Sequence, residues 1–306
     1  MATFPVCSAA CPPAGLGGCS AGRRPGRRHA GPADPAAQCE GLRVCRHTSP
    51  QENKAPLPQT SKQSCRPRWR WCQRAAGVRR VGMNQVAGLD NPIWTALTSV
   101  QAPLAETFGA LKRFTPAVAP FCAVRHAGDS VAGADGVRAG ETVYFVGAFP
   151  ALPDNWTVVQ EAAILQMVYG GEAYAPVGGG AMRVLDEGDF PDVLALTGLV
   201  YPEYFRPRTA SLGNYIGIHD GGKLVAMAGQ RFKPQGYREI SAVCTHPGYA
   251  GRGYGRQLIG RQVRDIAAEG AIPFLHVGEA NPKARALYEK LGFVMRIRIP
   301  FLKLVT

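Results

Sequence analysis

The sequence lacks any uninterrupted apolar run of the roughly 18 to 20 residues that a membrane-spanning helix needs. Its basic N-terminus is not followed by the apolar segment of a secretory signal peptide. Acidic residues are also scarce, because 22 Asp and Glu stand against 35 Lys and Arg, which gives a formal net charge of +13 over 306 residues. These absences argue against a membrane protein and a standard secreted protein, and we predict a cytoplasmic location.

The excess positive charge lies almost entirely in the first 82 residues. That segment holds 14 Lys and Arg against 3 Asp and Glu, whereas residues 83–306 hold 21 against 19. It has few large apolar residues and no apolar periodicity, so it cannot bury enough surface to offset the entropy of ordering. We therefore expect residues 1–82 to be a disordered basic segment, followed by a globular part that is close to neutral.

Three interpretations of the basic segment stay open. Its Arg-rich, acid-poor composition fits an organellar transit peptide. The Arg-rich runs at residues 23–28 and 66–71 could contact the phosphates of a nucleic acid. The composition is most typical of GC-rich sequence translated upstream of the true start, with Met83 as the initiator. We assign the segment no function, and we predict no nucleic-acid partner.

The sequence also lacks the spacing of a metal site. Seven of the nine cysteines lie in the basic segment, and none of them forms a C-x-x-C pair or precedes a histidine at finger spacing. In the globular part, Cys244 and His246 share one face of a predicted strand, but two ligands without a third do not make a zinc site. We predict no metal.

Secondary-structure signals divide the globular part near residues 178–180, which are three successive glycines. Before them, Asn91 and Pro92 open a predicted helix over residues 92–113. A strand is predicted over residues 142–149 and a short helix over residues 160–168. Residues 83–180 are therefore predicted to form an N-terminal α+β subdomain.

Residues 181–306 show a more regular alternation of strand and helix signals. Residues 220–222, Asp-Gly-Gly, are a strong hairpin signal because they tolerate positive φ. Strands are predicted over residues 181–185, 214–219, 223–230, 237–245, 272–277 and 293–304, and helices after residues 186–189 and over 255–269 and 282–291.

A glycine-rich turn, residues 247–256 (PGYAGRGYGR), joins a predicted strand to the start of a predicted helix. Free main-chain N–H groups and the helix dipole favour an anion at such a position. A Walker loop is excluded because no Gly-Lys-Ser/Thr follows, and the dinucleotide fingerprint fails because its third glycine is missing. The turn is a candidate phosphate cradle, with an ordinary glycine-rich surface turn as the alternative.

This turn resembles the acyl-CoA pyrophosphate loop of the GNAT N-acetyltransferases, Arg/Gln-x-x-Gly-x-Gly/Ala. Residues 250–255 (AGRGYG) match it, with Ala250 in place of the first Arg or Gln. The preceding residues 241–247 (SAVCTHP) are similar to the family's splayed strand, whose edge pairs with the pantetheine amides. A second motif, residues 281–293 (NPKARALYEKLGF), resembles the helix that lies beside the acyl-CoA in that family.

The resemblance covers residues 237–295 and, through strand order, extends to roughly 180–306. It implies an α+β GNAT fold, a mixed and mostly antiparallel sheet with splayed central strands flanked by helices, closest to the glycine N-acyltransferase-like branch. The implied function is an N-acyltransferase that moves acetyl from acetyl-CoA to the amine of a small molecule or amino acid by direct attack. The alternative is a non-catalytic acyl-CoA-binding regulatory module. The oligomeric state stays open, with a homodimer as one option.

The resemblance also implies roles for individual residues. Glu239 aligns with the strand glutamate that acts as the general base in the histone-acetylating branch, and its alternative is an ion pair with Arg238 or Lys233. Tyr288 would protonate the coenzyme thiolate, and its alternative is packing in the helix interface. A strand N–H near Val243 would polarise the carbonyl. The predicted coenzyme-binding residues are Val243, Thr245, Ala250, Gly251, Arg252, Gly253, Tyr254, Gly255, Arg256 and Asn281.

Other residues carry groups that suit the same chemistry. His246 or His276 could also serve as a base, whereas a nucleophilic Cys244 is disfavoured because direct attack needs no covalent intermediate. The acceptor would be recognised by residues 201–214, whose aromatic and basic side chains fit an amine that bears a carboxylate, with ordinary packing and solvated charge as the alternative. These side chains are Tyr201, Glu203, Tyr204, Phe205, Arg206 and Arg208.

Overall fold

The structure, a computed structural model, describes residues 87–133, 136–171, 182–200 and 204–306. The predictions on residues 1–82, on residues 178–180 and on Tyr201 and Glu203 lie outside these ranges. The helices are α1 (Pro92–Leu97), α2 (Phe190–Val200), α3 (Tyr254–Ala268) and α4 (Pro282–Lys290). The strands are β1 (Ala105–Phe108), β2 (Leu111–Phe114), β3 (Cys122–Ala123), β4 (Thr142–Val146), β5 (Thr157–Tyr169), β6 (Met182–Val184), β7 (Ile216–Asp220), β8 (Lys223–Gln230), β9 (Tyr237–Thr245), β10 (Ile272–Gly278) and β11 (Phe293–Val305).

Eight of these strands form one mixed sheet in the order β4-β11-β5-β10-β9-β8-β7-β6. Neighbouring strands run antiparallel except β9 and β10, which are parallel. Strands β1, β2 and β3 make a separate three-stranded sheet. The mixed, mostly antiparallel sheet with flanking helices confirms the predicted fold class.

The large sheet crosses the boundary predicted at residue 180. β5 pairs with β10 on one side and with β11 on the other, and β4 pairs with β11. The strands before residue 180 therefore complete the same sheet as the strands after it. β5, which precedes residue 180, pairs with one edge of β10 and one edge of β11, so residues 181–306 do not complete the sheet by themselves.

Two predicted helices were wrong in extent or type. The helix predicted over residues 92–113 ends at Leu97. It could not have continued through Pro103, which lies in a 3-10 turn, and the β1–β2 hairpin with the left-handed Gly109 (φ 57°) follows. Residues 160–168 were predicted to be helical but lie in β5. An apolar run buried between two neighbours cannot be told from a helix by periodicity alone.

Local signals were reliable where a turn or cap is encoded by a few residues. Asn91 caps α1 through its side chain, which accepts from the Trp94 N–H, and Pro92 follows at the first helical position. Gly221 and Gly222 take positive φ in the β7–β8 turn. The predicted strands and helices from residue 214 onward are confirmed to within one or two residues at each end, and β8 and β9 match at both ends.

The main core lies between the sheet and α3. The apolar face of this helix is buried against β8 and β9 through Leu258, Ile259, Val263 and Ile266. Burial of such a face supplies most of the stability of an amphipathic helix. It fixes the N-terminus of α3 beside the end of β9.

The described residues contain no helix of sufficient length and hydrophobicity to cross a bilayer. Nor do they bring three potential metal-ligating side chains together in one cluster.

Candidate active site

The central parallel strands separate part of the way along their length. Residues 237–239 of β9 pair with residues 272–274 of β10, and the pairing ends there. β9 nevertheless continues to Thr245, held by β8, and β10 continues to Gly278, held by β5. The diverging residues 240–245 and 275–278 form an open V, which we call the β9–β10 fork. The fork presents main-chain groups to any extended chain that enters it.

A β-bulge shapes the wall of the fork on β9. The register with β8 shifts between Ser241 and Cys244, and Ala242 has a left-handed φ of 53°. A non-glycine residue in this region costs on the order of 1 kcal/mol or more, so the surrounding structure must impose it. Ala242 and Cys244 pack into the cluster under α2, whereas Val243 packs into the main core on the α3 side.

Cys244 is therefore buried in the apolar cluster with Val193, Leu196 and Met227. This environment does not favour a nucleophilic thiolate. His246 lies beyond the strand, where its Nδ1 accepts from the Gly248 N–H at 3.1 Å and its Nε2 lies 3.3 Å from Lys223 Nζ. His246 thus caps the short 3-10 turn Pro247–Tyr249 that leads from β9 towards α3.

The glycine turn (residues 247–256) requires glycine at two positions because of its backbone conformation. Gly251 has φ 81° and Gly253 has φ 78°, and a Cβ at either would meet no atom within 4 Å. Gly253 is the N-cap of α3 and makes no side-chain capping bond. Gly255 is different, since it lies inside the helix and a Cβ there would be 3.9 Å from Val243 Cγ1. The turn thus leaves the N-terminus of α3 open to an anion.

The two arginines of the turn lie at its surface. The Arg252 guanidinium stacks 4.5 Å from the Tyr249 ring and is 3.9 Å from Asp220 Oδ2, with both partners of this ion pair about half exposed. Such an exposed pair contributes little to stability. Arg256 is exposed on the first turn of α3. Both arginines supply positive charge next to the helix N-terminus.

The second sequence motif places Asn281 and Tyr288 on α4. Asn281 caps this helix, because its Oδ1 accepts from the Ala284 N–H at 3.0 Å. Tyr288 is fully buried, with its ring edge-on to Phe293 at 6.1 Å between centroids. These contacts are those of the predicted packing alternative. The proton-donor role of Tyr288 stays a prediction.

Glu239 lies where β9 and β10 begin to separate, and its side chain is 1% exposed. Its Oε2 accepts from Arg231 Nε at 2.9 Å and from the Phe232 N–H at 3.3 Å. Its Oε1 is 2.5 Å from Arg231 Nη2 and 2.7 Å from His276 Nδ1. These four donors fill the four lone-pair positions of a carboxylate.

Burial alone would raise the pKa of Glu239, but the charge of Arg231 and the hydrogen bonds from Arg231 and His276 outweigh it and lower the pKa to about 2. A carboxylate with this pKa and no open acceptor position is a poor general base in this conformation. The predicted base role is not supported by the geometry, although Glu239 does lie at the fork.

The predicted partners of Glu239 were wrong. Arg238 instead bonds Glu269 at 3.1 Å, and Lys233 donates its main-chain N–H to Gln101. The partner Arg231 is eight residues earlier, directly across the turn between β8 and β9, where its N–H donates to the Glu239 carbonyl. The antiparallel pairing of the two predicted strands on either side of this turn would have predicted Arg231 as the partner.

A small cavity of about 30 Å³ opens beside the bulge. We call it the aromatic cavity; it is lined by Ala119, Phe121, Tyr204, Phe205, Thr209, Leu212, Tyr215, Arg231, Ser241 and Ala242. Four of these residues come from the predicted acceptor segment, but Arg206 and Arg208 are not among them. Ala119 and Phe121 come from the polypeptide before residue 180, which therefore contributes one wall.

The mixed sheet, its forked parallel strands and the glycine turn at a helix N-terminus define the architecture of a GNAT protein. Residues 215–299 match the family model of FR47-like proteins. The crystal structure of a GNAT-family acetyltransferase from Novosphingobium aromaticivorans is 32% identical, with a TM-score of 0.64, over 71% of this chain and 97% of that one. The chain belongs to the GNAT family.

Two curated relatives are similar over shorter stretches. N-alpha-acetyltransferase RimI of Mycobacterium tuberculosis is 39% identical over 97 residues, which are 30% of this chain and 60% of that protein. An uncharacterised protein of Mycobacterium leprae is 38% identical over 82 residues, which are 26% of this chain and 22% of that protein. The chain therefore spans less than two thirds of either relative. Placement in the glycine N-acyltransferase-like branch stays a prediction.

Proposed function

We propose that the protein is an N-acyltransferase that moves acetyl from acetyl-CoA to the amine of a small molecule, amino acid or peptide terminus. The observation that carries the proposal is the continuity between the β9–β10 fork and the glycine turn. A diphosphate at the N-terminus of α3 would leave the attached pantetheine beside the open edge of β9. Family membership and the relative named as an N-alpha-acetyltransferase support the same chemistry.

The glycine turn would hold the diphosphate through main-chain N–H groups at the positive end of the α3 dipole. Gly251 and Gly253 matter because only glycine adopts their φ without strain. Arg252 and Arg256 add charge, and Ala250 contributes no side-chain donor. Val243 and Thr245 would offer the main chain of β9 to the pantetheine amides, as an added strand would.

In the reaction, the amine nitrogen attacks the thioester carbonyl carbon, the C–S bond breaks, and the thiolate departs and takes a proton. A main-chain N–H near Val243 would polarise the carbonyl oxygen. The amine proton goes to water or to a group other than Glu239 while Glu239 keeps its four donors. Tyr288 is the proposed proton donor to the thiolate. This role needs a path from the buried Tyr288 ring to the sulfur.

The base assignment has its own test, the pH profile of a Glu239→Gln variant. We expect an unshifted profile with a lower rate, because the residue holds Arg231 and His276 in place. A profile shifted towards higher pH would show that Glu239 is the base after all.

Acetyl-CoA binding by calorimetry and coenzyme A release with defined amines test the proposal. The amines are glycine, L-phenylalanine, 2-phenylethylamine and trialanine. We expect binding and release with at least one of them. No association at millimolar acetyl-CoA would overturn the proposal.

The non-catalytic acyl-CoA-binding module is kept as a second candidate, because Tyr288 is buried and Glu239 has no open acceptor position. Binding without coenzyme A release on any amine would favour it. Tyr288→Phe separates the two further, since an enzyme should lose turnover with unchanged acetyl-CoA affinity. A cytoplasmic location remains part of the proposal.

A further inference from the structure

Polar side chains, all buried except the half-buried Arg296, link five adjacent strands of the large sheet in one continuous row. Arg231, just after β8, bonds Glu239 on β9, which bonds His276 on β10. His276 in turn contacts Gln166 on β5, and Gln166 contacts Arg296 on β11. We call this row the cross-sheet chain.

The centre of the cross-sheet chain is inaccessible to water. Gln166 is 0% exposed, and His276 and Glu239 are each 1% exposed. Polar groups at such depth are costly unless every donor meets an acceptor. The direction of each hydrogen bond in the chain is therefore strongly constrained.

The orientation of the Gln166 amide is fixed from two sides. Its Oε1 accepts from Arg296 Nη1 at 2.8 Å, and a guanidinium can only donate. Its Nε2 donates to the Leu89 carbonyl at 2.9 Å, and a carbonyl can only accept. Arg296 is itself held by an ion pair with Asp90. The Gln166 nitrogen, and not its oxygen, therefore faces His276.

This orientation determines where the proton of His276 lies. Gln166 Nε2 is 3.1 Å from His276 Nε2 and is a donor, so His276 Nε2 must accept and carries no hydrogen. The ring proton is then on Nδ1 and is donated to Glu239 Oε1 at 2.7 Å. A second proton on His276 would make two N–H donors face each other in the core.

The other end of the chain reaches the aromatic cavity. With Glu239 held by His276, the Arg231 guanidinium is fixed in a bidentate pair, 4.8 Å from the Phe121 ring and 4.5 Å from the Phe232 ring. Arg231 and Phe121 both line the cavity. The groups that face His276 from the packed elements are Glu239 and the neutral Gln166. Arg231 and Arg296 lie one contact further away, and Asp90 lies two contacts further away.

We propose that Gln166 is a positioning residue: it holds His276 as the neutral Nδ1–H tautomer, and this tautomer fixes the Glu239–Arg231 pair that forms the wall of the aromatic cavity. The link to acceptor binding rests on the proposed function. The tautomer and the geometry of the pair do not. His276 in this role is a fixed donor and acceptor rather than the base considered from sequence.

The first test is nitrogen-15 NMR of the histidine rings in the full chain at neutral pH, with the His276 signals assigned by their absence in His276→Gln. We expect one protonated ring nitrogen, Nδ1, and one unprotonated ring nitrogen, Nε2. An Nε2–H tautomer or a doubly protonated ring would overturn the proposal, whether or not the protein is an enzyme. This measurement needs no Gln166 variant to fold.

The second test replaces the donor with an acceptor in Gln166→Glu. The added carboxylate should draw a second proton onto His276, which the same NMR measurement detects. We expect KM for the fastest amine of the panel and the acetyl-CoA dissociation constant to change little, because the doubly protonated ring still donates from Nδ1 to Glu239. If the folded variant keeps the wild-type tautomer, Gln166 does not set it and the proposal fails.

His276→Gln is the matched conservative variant. A glutamine there can donate to Glu239 from its nitrogen and accept from Gln166 at its oxygen, so it copies the neutral tautomer without titrating. We expect its pH profile to match the wild type and its KM to stay within about threefold. Loss of the pH dependence in this variant would show that His276 exchanges protons during turnover, which contradicts a fixed tautomer. Failure of acetyl-CoA binding would instead contradict the proposed function, and it would not affect the result on the His276 tautomer.

Discussion

The two ends of the β9–β10 fork are built in opposite ways. At the α3 end, glycines with positive φ and main-chain N–H groups make an exposed turn, and its side chains carry little of the geometry. At the other end, Arg231, Glu239 and His276 form a buried cluster in which side chains occupy the polar positions. The difference teaches that the end proposed for the coenzyme depends on backbone conformation, and the end proposed for the acceptor depends on paired side chains.

The largest effect is expected from breaking the buried pair. Arg231→Met leaves the Glu239 charge buried without its cation, which should lower the free energy of unfolding by about 3–5 kcal/mol. Urea denaturation measures the loss. The control is Arg231→Met with Glu239→Leu, which removes both charges and should recover much of the stability. Additive losses in the double variant would show that the two residues are not coupled.

Acid should destabilise the same end of the fork. The folded pKa of Glu239, about 2, lies below the ordinary value of 4.5. The pair therefore contributes its full stability above the unfolded pKa and loses it as the pH falls through the folded pKa. We expect the wild type to lose stability between about pH 4.5 and pH 2 more steeply than the double variant, and parallel curves would contradict the lowered pKa.

At the proposed coenzyme end, Gly253→Asp should weaken acetyl-CoA binding at least tenfold, about 1.4 kcal/mol. The matched control is Gly253→Asn, which imposes the same backbone strain and a side chain of the same shape without the negative charge. Calorimetry should show that Asp is much worse than Asn. Equal dissociation constants would mean that no anion binds at this turn.

The smallest effect is expected at Gly255. Its Cβ would make ordinary contact with Val243, and its φ is helical rather than left-handed. Gly255→Ala should leave acetyl-CoA affinity within about twofold and change stability by less than about 1 kcal/mol. A large loss would show that the coenzyme approaches the backbone at Gly255 as closely as sequence comparison implies.

The same contrast explains what the sequence could and could not predict. The glycine turn, the Asp220-Gly221-Gly222 hairpin and the Asn91 cap are set by a few consecutive residues, and each was found where it was predicted. Residues 160–168 were misassigned because pairing with β10 and β11, more than 100 residues away, makes them a strand. Such long-range pairing overrides local patterns.

The partners of Glu239 were missed for a related reason. Local spacing pointed to Arg238 and Lys233, but adjacent residues on a strand face opposite sides of the sheet. The true partners lie on neighbouring strands, at Arg231 and His276, and Gln166 joins them from a part of the sequence that shows no motif. That these residues are buried together could be recognised only once the fold was known.

The most direct test of the proposed coenzyme end is a titration of the nitrogen-15-labelled protein with coenzyme A, followed by the main-chain amide signals. We expect the largest shifts at residues 251–256 and along residues 241–245, saturating together, and no such response in Gly253→Asp. Unchanged amide signals at these residues up to millimolar coenzyme A would contradict the assignment of the fork and the glycine turn as an acyl-CoA site.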